Sequence, residues 1–452
     1  MSNSEILVTN YALQSAIEHH QAGRLKEAED LYKAILHADP NHAFALQAYG
    51  NLALYVGHFQ VAQDLISQSL QIEAKNANAL NNLGLALQGL RKTDDAMSCF
   101  QQAIAINENL AAAHLNAGLI DFERGEIERA IDRIEKALRI HPGSVEYLKA
   151  LGKSYQALLE SARAIAAFQS EPSINSDIGL VSECALGSAL SHYLNNDRIS
   201  AMKMLSKAAP LKQMTHPQYA HSLGYLLFLE KLLGDGENTE ESSPRVATKR
   251  TLYVIGDSHS LSLHGNGVSI RGQEHVCSAI WIENIKQWDL GNAEQNHFKK
   301  TFDIAISRVP SGSKLVLAIG QIDCLLKNGV FSAWSKNRSK TLDQVICSTI
   351  ENYLAYVERV CQKKYFQFVI CGVPALTSSW LLPAGSDAEE FFSTVKIFNL
   401  RLKEYALLRG MNFLDTYAMT DSGNGLSNDF WHIDYVHLRT EAYTEAFTKH
   451  LY

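Results

Sequence analysis

No cluster of lysine and arginine stands out in this chain, and its formal charge is -7. A net acidic surface offers no general attraction to a phosphate backbone, so nucleic acid is not an expected partner. Nothing approaches the run of about 20 apolar residues that a membrane-spanning helix needs. The start of the chain, Met1-Ser-Asn-Ser-Glu-Ile-Leu7, lacks the basic stretch and apolar core of a secretion signal. The expectation is therefore a cytoplasmic protein without a membrane span. Cysteine is sparse, at seven residues, odd in number and dispersed, which points to free thiols rather than a disulfide framework. Gly265, Gly267 and Gly272 lack the spacing of a dinucleotide-binding turn and read as a loop. No cofactor is expected.

What the first half does contain is a repeat. Ala28, Ala62, Ala96, Ala130 and Ala164 fall on a period of 34 residues. Four positions after each stands a larger side chain, Tyr32, Ile66, Phe100, Ile134 and Phe168. Twelve positions before each stands a small one, Ala16, Gly50, Gly84, Gly118 and Gly152. Small residues let two helices cross closely and the large ones fill the gap to the next pair. The pattern resembles tetratricopeptide repeats, with Pro40 and Pro142 at matching turns. The repeats run over about residues 9 to 178. Ala189, Ala201 and Leu205 suggest a sixth, degenerate pair, and Pro217 to Leu233 reads as the capping helix a solenoid requires. The expected domains are a helical solenoid at 1–234, an acidic linker at 235–249, and a second domain at 250–452.

The second domain has a different rhythm. Apolar runs at Leu252 to Ile255, Val276 to Ile282, Leu315 to Ile319 and Phe366 to Cys371 read as strands buried on both faces. Helical patterns lie between them, at Leu342 to Val360 and Ala388 to Leu408. The alternation predicts a doubly wound parallel sheet, and three strands end in glycine at 256, 320 and 372, so their C-terminal edges form one rim.

At that rim stands Gly256-Asp257-Ser258-His259-Ser260, and Asp434-Tyr-Val-His437 lies near the C-terminus before a terminal helix at about Thr440 to Leu451. A serine just past a buried strand presents its hydroxyl where a substrate can reach it and a distant histidine can take its proton. Read blandly, Gly-Asp-Ser is a turn and Ser258 only a helix N-cap. Asp429-Phe-Trp-His432 repeats the Asp-x-x-His pattern a few residues earlier, with His432 able to pack beside Trp431. The four residues Asp429, His432, Asp434 and His437 can also be read as metal ligands, but no cysteine or helical His-x-x-x-His accompanies them, and a metal is not expected.

Residues 250 to 452 resemble the SGNH (GDSL-like) hydrolases on these two segments. The resemblance implies a flavodoxin-like α/β fold, Ser258 as nucleophile, His437 as general base and Asp434 as the group that orients it. Gly320-Gln-Ile-Asp323 stands where that family carries Gly-x-Asn-Asp, with Ile322 in place of the asparagine that donates to the oxyanion. Losing one such donor costs about 3 kcal/mol of transition-state stabilisation. Gln321 is the candidate to supply that amide instead, and Gly320-Gln-Ile-Asp-Cys324 resembles a Gly-Glu-Ile-Asp-Cys variant of SGNH-like proteins linked to bacterial surface sugars; Gly291 is the candidate for a backbone donor. The bland alternative makes Gln321 and Asp323 caps of the next segment. His259 and His264 line the pocket or sit at its surface rim.

The expected activity is hydrolysis or transfer of an ester, with an acylated sugar or other small ester as substrate. A protein or peptide would occupy the solenoid groove, near Asn81, Asn82, Asn116 and Lys149, and self-association into a homo-oligomer is a further expectation. The alternative is an adaptor whose second domain binds a ligand without turning it over.

Overall fold

The computed structural model describes residues 3–173, 176–234, 250–270, 272–325, 329–336, 338–377, 388–434 and 436–450. The expected linker at 235–249 lies outside the described residues. The chain divides into two compact units, Met1–Ala150 and Leu151–Tyr452.

The first unit is built of antiparallel helix pairs: α1 (Asn3–Gln21) with α2 (Leu25–Ala38), α3 (Ala43–Tyr55) with α4 (Phe59–Ile72), α5 (Ala77–Gly89) with α6 (Thr93–Ile106), and α7 (Ala111–Glu123) with α8 (Ile127–Ile140). The small and large positions of the repeat interlock as steric arguments require. A Cβ added to Gly50 would come within 2.5 Å of Ile66, and one on Gly84 within 2.5 Å of Phe100. Ala28, Ala62, Ala96 and Ala130 are wholly buried at the crossings, as are Ile66 and Phe100. Each large side chain buried in this way contributes about 1.5–3 kcal/mol. The first helix of each pair ends in a left-handed residue, Gly23, Gly57, Arg91 and Gly125, with φ between 64° and 80°. That conformation closes a helix and reverses the chain; glycine adopts it freely, arginine at a cost. Asparagines tie successive pairs together: Asn82 donates to Asn51 (2.8 Å) and Asn116 to Asn81 (3.0 Å).

The second unit opens with further helices. Helix α9 (Val145–Ala157) crosses the boundary, and α10 (Ser161–Gln169), α11 (Ile178–Leu194), α12 (Arg198–Ala208) and α13 (Ala220–Gly234) follow. Ala189, Ala201 and Leu205 are buried between α11, α12 and α13 in a core that also takes in Leu261 and Trp281.

Six strands follow: β1 (Arg250–Gly256), β2 (Gly267–Ile270), β3 (Gln273–Trp281), β4 (Lys314–Ala318), β5 (Gln367–Cys371) and β6 (Asn412–Leu414). They form one sheet in the order β2-β3-β1-β4-β5-β6. The sheet is mixed, not parallel throughout as expected. All neighbours pair in parallel except β2, which runs antiparallel to β3 with Val268 opposite His275. The glycines at 265, 267 and 272 had suggested a loop. Instead Val268 and Ile270 alternate inward with Gly267 and Ser269, and this short period-two pattern suffices for an edge strand beside β3. Strand β6 has three residues, too few to register as an apolar run.

Alternate side chains of the central strands enter cores on opposite faces. Ile255, Leu317, Ile370 and Phe413 join α15 (Gln287–Gly291), α16 (His297–Arg308), α18 (Leu342–Gln362) and α19 (Ala388–Leu408) on one side. Val254, Val316, Val369 and Leu414 join α21 (Thr440–His450) on the other. Three short helices complete the unit: α14 (Ser258–Leu261) after β1, α17 (Val330–Lys336) before α18, and α20 (Thr416–Thr420) after β6. Among the described residues no helix is long and apolar enough to cross a membrane.

Candidate active site

Strand β1 ends at Gly256, where any Cβ would lie 2.1 Å from the Ala318 carbonyl oxygen of β4. Only glycine permits this approach, which turns the chain sharply at the rim. Asp257 then caps α14: its side chain accepts from the His259 amide (3.0 Å), and its carbonyl accepts from the Ser260 amide (3.0 Å) and hydroxyl (2.7 Å). The N-cap is therefore Asp257, and the neighbouring Ser258 is left half-buried as the first helical residue, its side chain unused in capping.

The Ser258 hydroxyl lies 2.7 Å from Nε2 of His437, and Nδ1 of His437 lies 2.7 Å from Oδ2 of Asp434. The other oxygen of Asp434 accepts the amides of Val436 (2.8 Å) and His437 (2.7 Å), which closes the turn and fixes the carboxylate. A carboxylate at Nδ1 keeps the ring proton there and leaves Nε2 as acceptor for the serine proton. Burial works against charge on Asp434, but the hydrogen bond and charge of His437 and the two amides hold its carboxyl at about 2. His437 is itself lowered below the ordinary histidine value by burial, with Asp434 pulling the other way, so the ring is neutral at pH 7. Ser258, His437 and Asp434 thus form a continuous hydrogen-bonded chain from a rim hydroxyl to a half-buried carboxylate.

The other candidates lie elsewhere. Gln321 is buried, and neither end of its side chain has a hydrogen-bond partner; with Asp257, His259 and Gly320 it lines a cavity of about 10 Å³, room for one water. No hydrogen bond joins it to Ser258 among the described residues. Asp323 accepts the amides of Gln287 (2.7 Å) and Trp288 (3.0 Å) and so caps α15 from outside, while burial raises its carboxyl to about 7. Gly291 ends α15 against α18, where a Cβ would meet Asn352 at 2.8 Å and the Tyr353 amide at 3.0 Å. Close helix packing accounts for that glycine without an oxyanion role.

His432, of the second Asp-x-x-His, is buried against Ser427 through Nδ1 (2.9 Å) and lowered to about 4, chiefly by burial. Asp429 is exposed in a left-handed turn (φ 57°) and its amide donates to Ser427. Neither reaches Ser258. His264, expected at the pocket or surface rim, is buried instead: its Nδ1 accepts from the Ala279 amide (3.2 Å), and burial lowers it to about 4. His259 is buried as well and pairs with Asp257 through Nδ1 (3.0 Å), its ring centroid 5.1 Å from that of His437. Burial opposes its charge, yet the charge and hydrogen bond of Asp257 raise it. This second His–Asp pair was present in the motif but had no sequence signal separating it from a rim histidine. Two residues of α13, Tyr225 and Phe228, also touch the site and carried no signal at all.

A wider cavity of about 400 Å³ opens at the N-terminal ends of the strands, beside Lys314, Glu358 and Arg409. It lies at the far edge of the sheet from Ser258.

Among families, the tetratricopeptide repeat model matches residues 77–110, the pair α5–α6. A curated relative, tetratricopeptide repeat protein 6 of Homo sapiens, is 27% identical over 120 residues, 26% of this chain and 23% of its own length. BBSome complex member BBS4 of Mus musculus is 22% identical over 133 residues, 29% of this chain and 25% of its own length. The chain therefore spans about a quarter of each of these relatives. Among solved structures, MamA protein is 26% identical, covering 36% of this chain and 88% of that one with a TM-score of 0.32. The pilus biogenesis factor PilW is 18% identical, covering 48% and 98%, with a TM-score of 0.41. The N-terminal helix pairs are tetratricopeptide repeats.

Proposed function

We propose that the chain is a serine-dependent ester hydrolase or O-acyltransferase of the SGNH type, joined to a tetratricopeptide solenoid that recruits a protein partner. The observation that carries this reading is the pair of 2.7 Å contacts running from Ser258 through His437 to Asp434. The sheet order supports the fold: without the edge hairpin strand, the remaining strands run second, first, third, fourth, fifth, as in doubly wound flavodoxin-like sheets.

Ser258 attacks the ester carbonyl as its proton passes to Nε2 of His437, and Asp434 balances the imidazolium. The amides of Ser260 and His259 are consumed by Asp257, which leaves the Ser258 amide as the donor available to the oxyanion. Collapse expels the alcohol, which takes its proton from Nε2, and leaves an acyl group on Ser258. Water or a second hydroxyl then removes it by the same steps in reverse. An acylated sugar is the substrate class suggested by the Gly320-to-Cys324 segment.

A second reading makes the protein an adaptor whose α/β part binds a ligand without turnover. The comparisons favour it over the enzyme, since their matches concern the repeats and BBS4 is by name a member of a complex. Hydrolysis of p-nitrophenyl acetate and of acetylated sugars, with acceptor present, separates the two readings. Activity abolished by both Ser258→Ala and His437→Ala supports the enzyme. Wild-type turnover no faster than either variant would leave the adaptor.

A further inference from the structure

We infer that helix α13 is a working wall of the Ser258 site, in which Phe228 positions His437. The inference rests on the serine-enzyme reading above. It starts from a helical face: His221, Tyr225 and Phe228 are spaced four and three apart and so project from α13 together. The ring of Phe228, 1% exposed, stacks on the imidazole of His437 with centroids 3.8 Å apart and planes 20° from parallel. Hydrogen bonds to Ser258 and Asp434 hold the imidazole within its plane, and Phe228 blocks its face. Motion in the ring plane and toward the Phe228 side is then restricted. An aromatic face also tolerates the ring in both protonation states, because it attracts a cation laid over it.

Tyr225 is buried one turn earlier. Its ring stands edge-on to Trp281 at the end of β3 (5.8 Å, 72°) and to His221 (5.0 Å, 79°). The helix is fixed near both ends of the site. Glu283 lies 3.0 Å from Lys153 and 3.7 Å from His221. Lys231 reaches the carbonyl of Ile433, next to Asp434, at 3.5 Å.

The test is covalent labelling of the full-length protein by a fluorophosphonate, which Ser258 attacks with loss of fluoride, followed across pH 4.5–8.5 with Ser258→Ala as blank. The ionisable groups around His437 are Asp434, Asp257, His259 and His432; on α13 itself Lys231 bonds the Ile433 carbonyl and His221 pairs with Glu283. Phe228→Leu removes the ring cover while keeping apolar volume. It should slow labelling at least about tenfold, as loss of alignment does, and move the acidic midpoint upward because the imidazole becomes wetter. Phe228→Met, a milder loss of the ring cover, should slow labelling in the same direction; it decides the matter if the leucine variant fails to fold. Labelling of both folded variants at the wild-type rate and midpoint would overturn the role of α13 and leave the triad intact. Absence of labelling in folded wild type would instead remove the triad reading, and this inference with it.

Discussion

Replacing Asp434 by asparagine tests the proposed chemistry at its most constrained point. Two backbone amides, of Val436 and His437, donate to one carboxylate oxygen, so asparagine must turn its carbonyl toward them. Its NH2 group then faces Nδ1 of His437 in place of the oxygen now 2.7 Å away. A donor at Nδ1 forces the ring proton onto Nε2, and the base can no longer accept from Ser258. The same exchange in other serine enzymes of this layout lowers turnover about 10⁴-fold, or about 5.5 kcal/mol in the barrier. Because the turn keeps both amide bonds, the fold survives, and a thermal melt should move little. The assay is turnover of p-nitrophenyl acetate beside circular dichroism of the same preparation. A folded Asp434→Asn enzyme with more than about a tenth of wild-type turnover would refute the tautomer argument.

Activity should fall toward acid with a midpoint below 6.5, since burial lowers His437 and the neutral ring is the active form; a pH–rate profile with its midpoint above 6.5 would contradict this. Asp429→Asn should leave turnover within about twofold, because that exposed residue plays no part in the hydrogen-bonded chain and asparagine keeps its left-handed turn; a large loss would return the second Asp-x-x-His to contention. Gly256→Ala should cost about 3 kcal/mol or more through the 2.1 Å clash with Ala318, read as a lowered melting temperature. Arg91→Gly should raise stability by about 0.5–1 kcal/mol by relieving a left-handed arginine, and an unchanged or lower denaturation midpoint would count against that.

The repeats were legible because each 34-residue unit solves the same steric problem, and Gly50 against Ile66 or Gly84 against Phe100 leaves a periodic trace. The buried strands were legible because residues enclosed on both faces read as unbroken apolar runs. Strand β2 was hidden by its glycine-rich borders and β6 by its length. At the site, Ser258, His437 and Asp434 could be paired across 179 residues only because each sits in a short local motif. Tyr225 and Phe228 have no such motif; on a helix of mostly apolar residues they look like core, and only tertiary packing sets them apart. Gly291 has no distinguishing signal either, since a glycine after a strand has the same appearance whether it faces a ligand or a helix.

The core shared by α11, α12 and α13 with Leu261 and Trp281 has a consequence for excision. A cut between Gly234 and Arg250, where sequence suggests a seam, would yield two fragments with raw apolar faces, one bearing Phe228 and the other Trp281. Such patches favour aggregation. Grafting another solenoid onto the α/β part would require that α13 travel with it, so the two halves are no longer interchangeable modules.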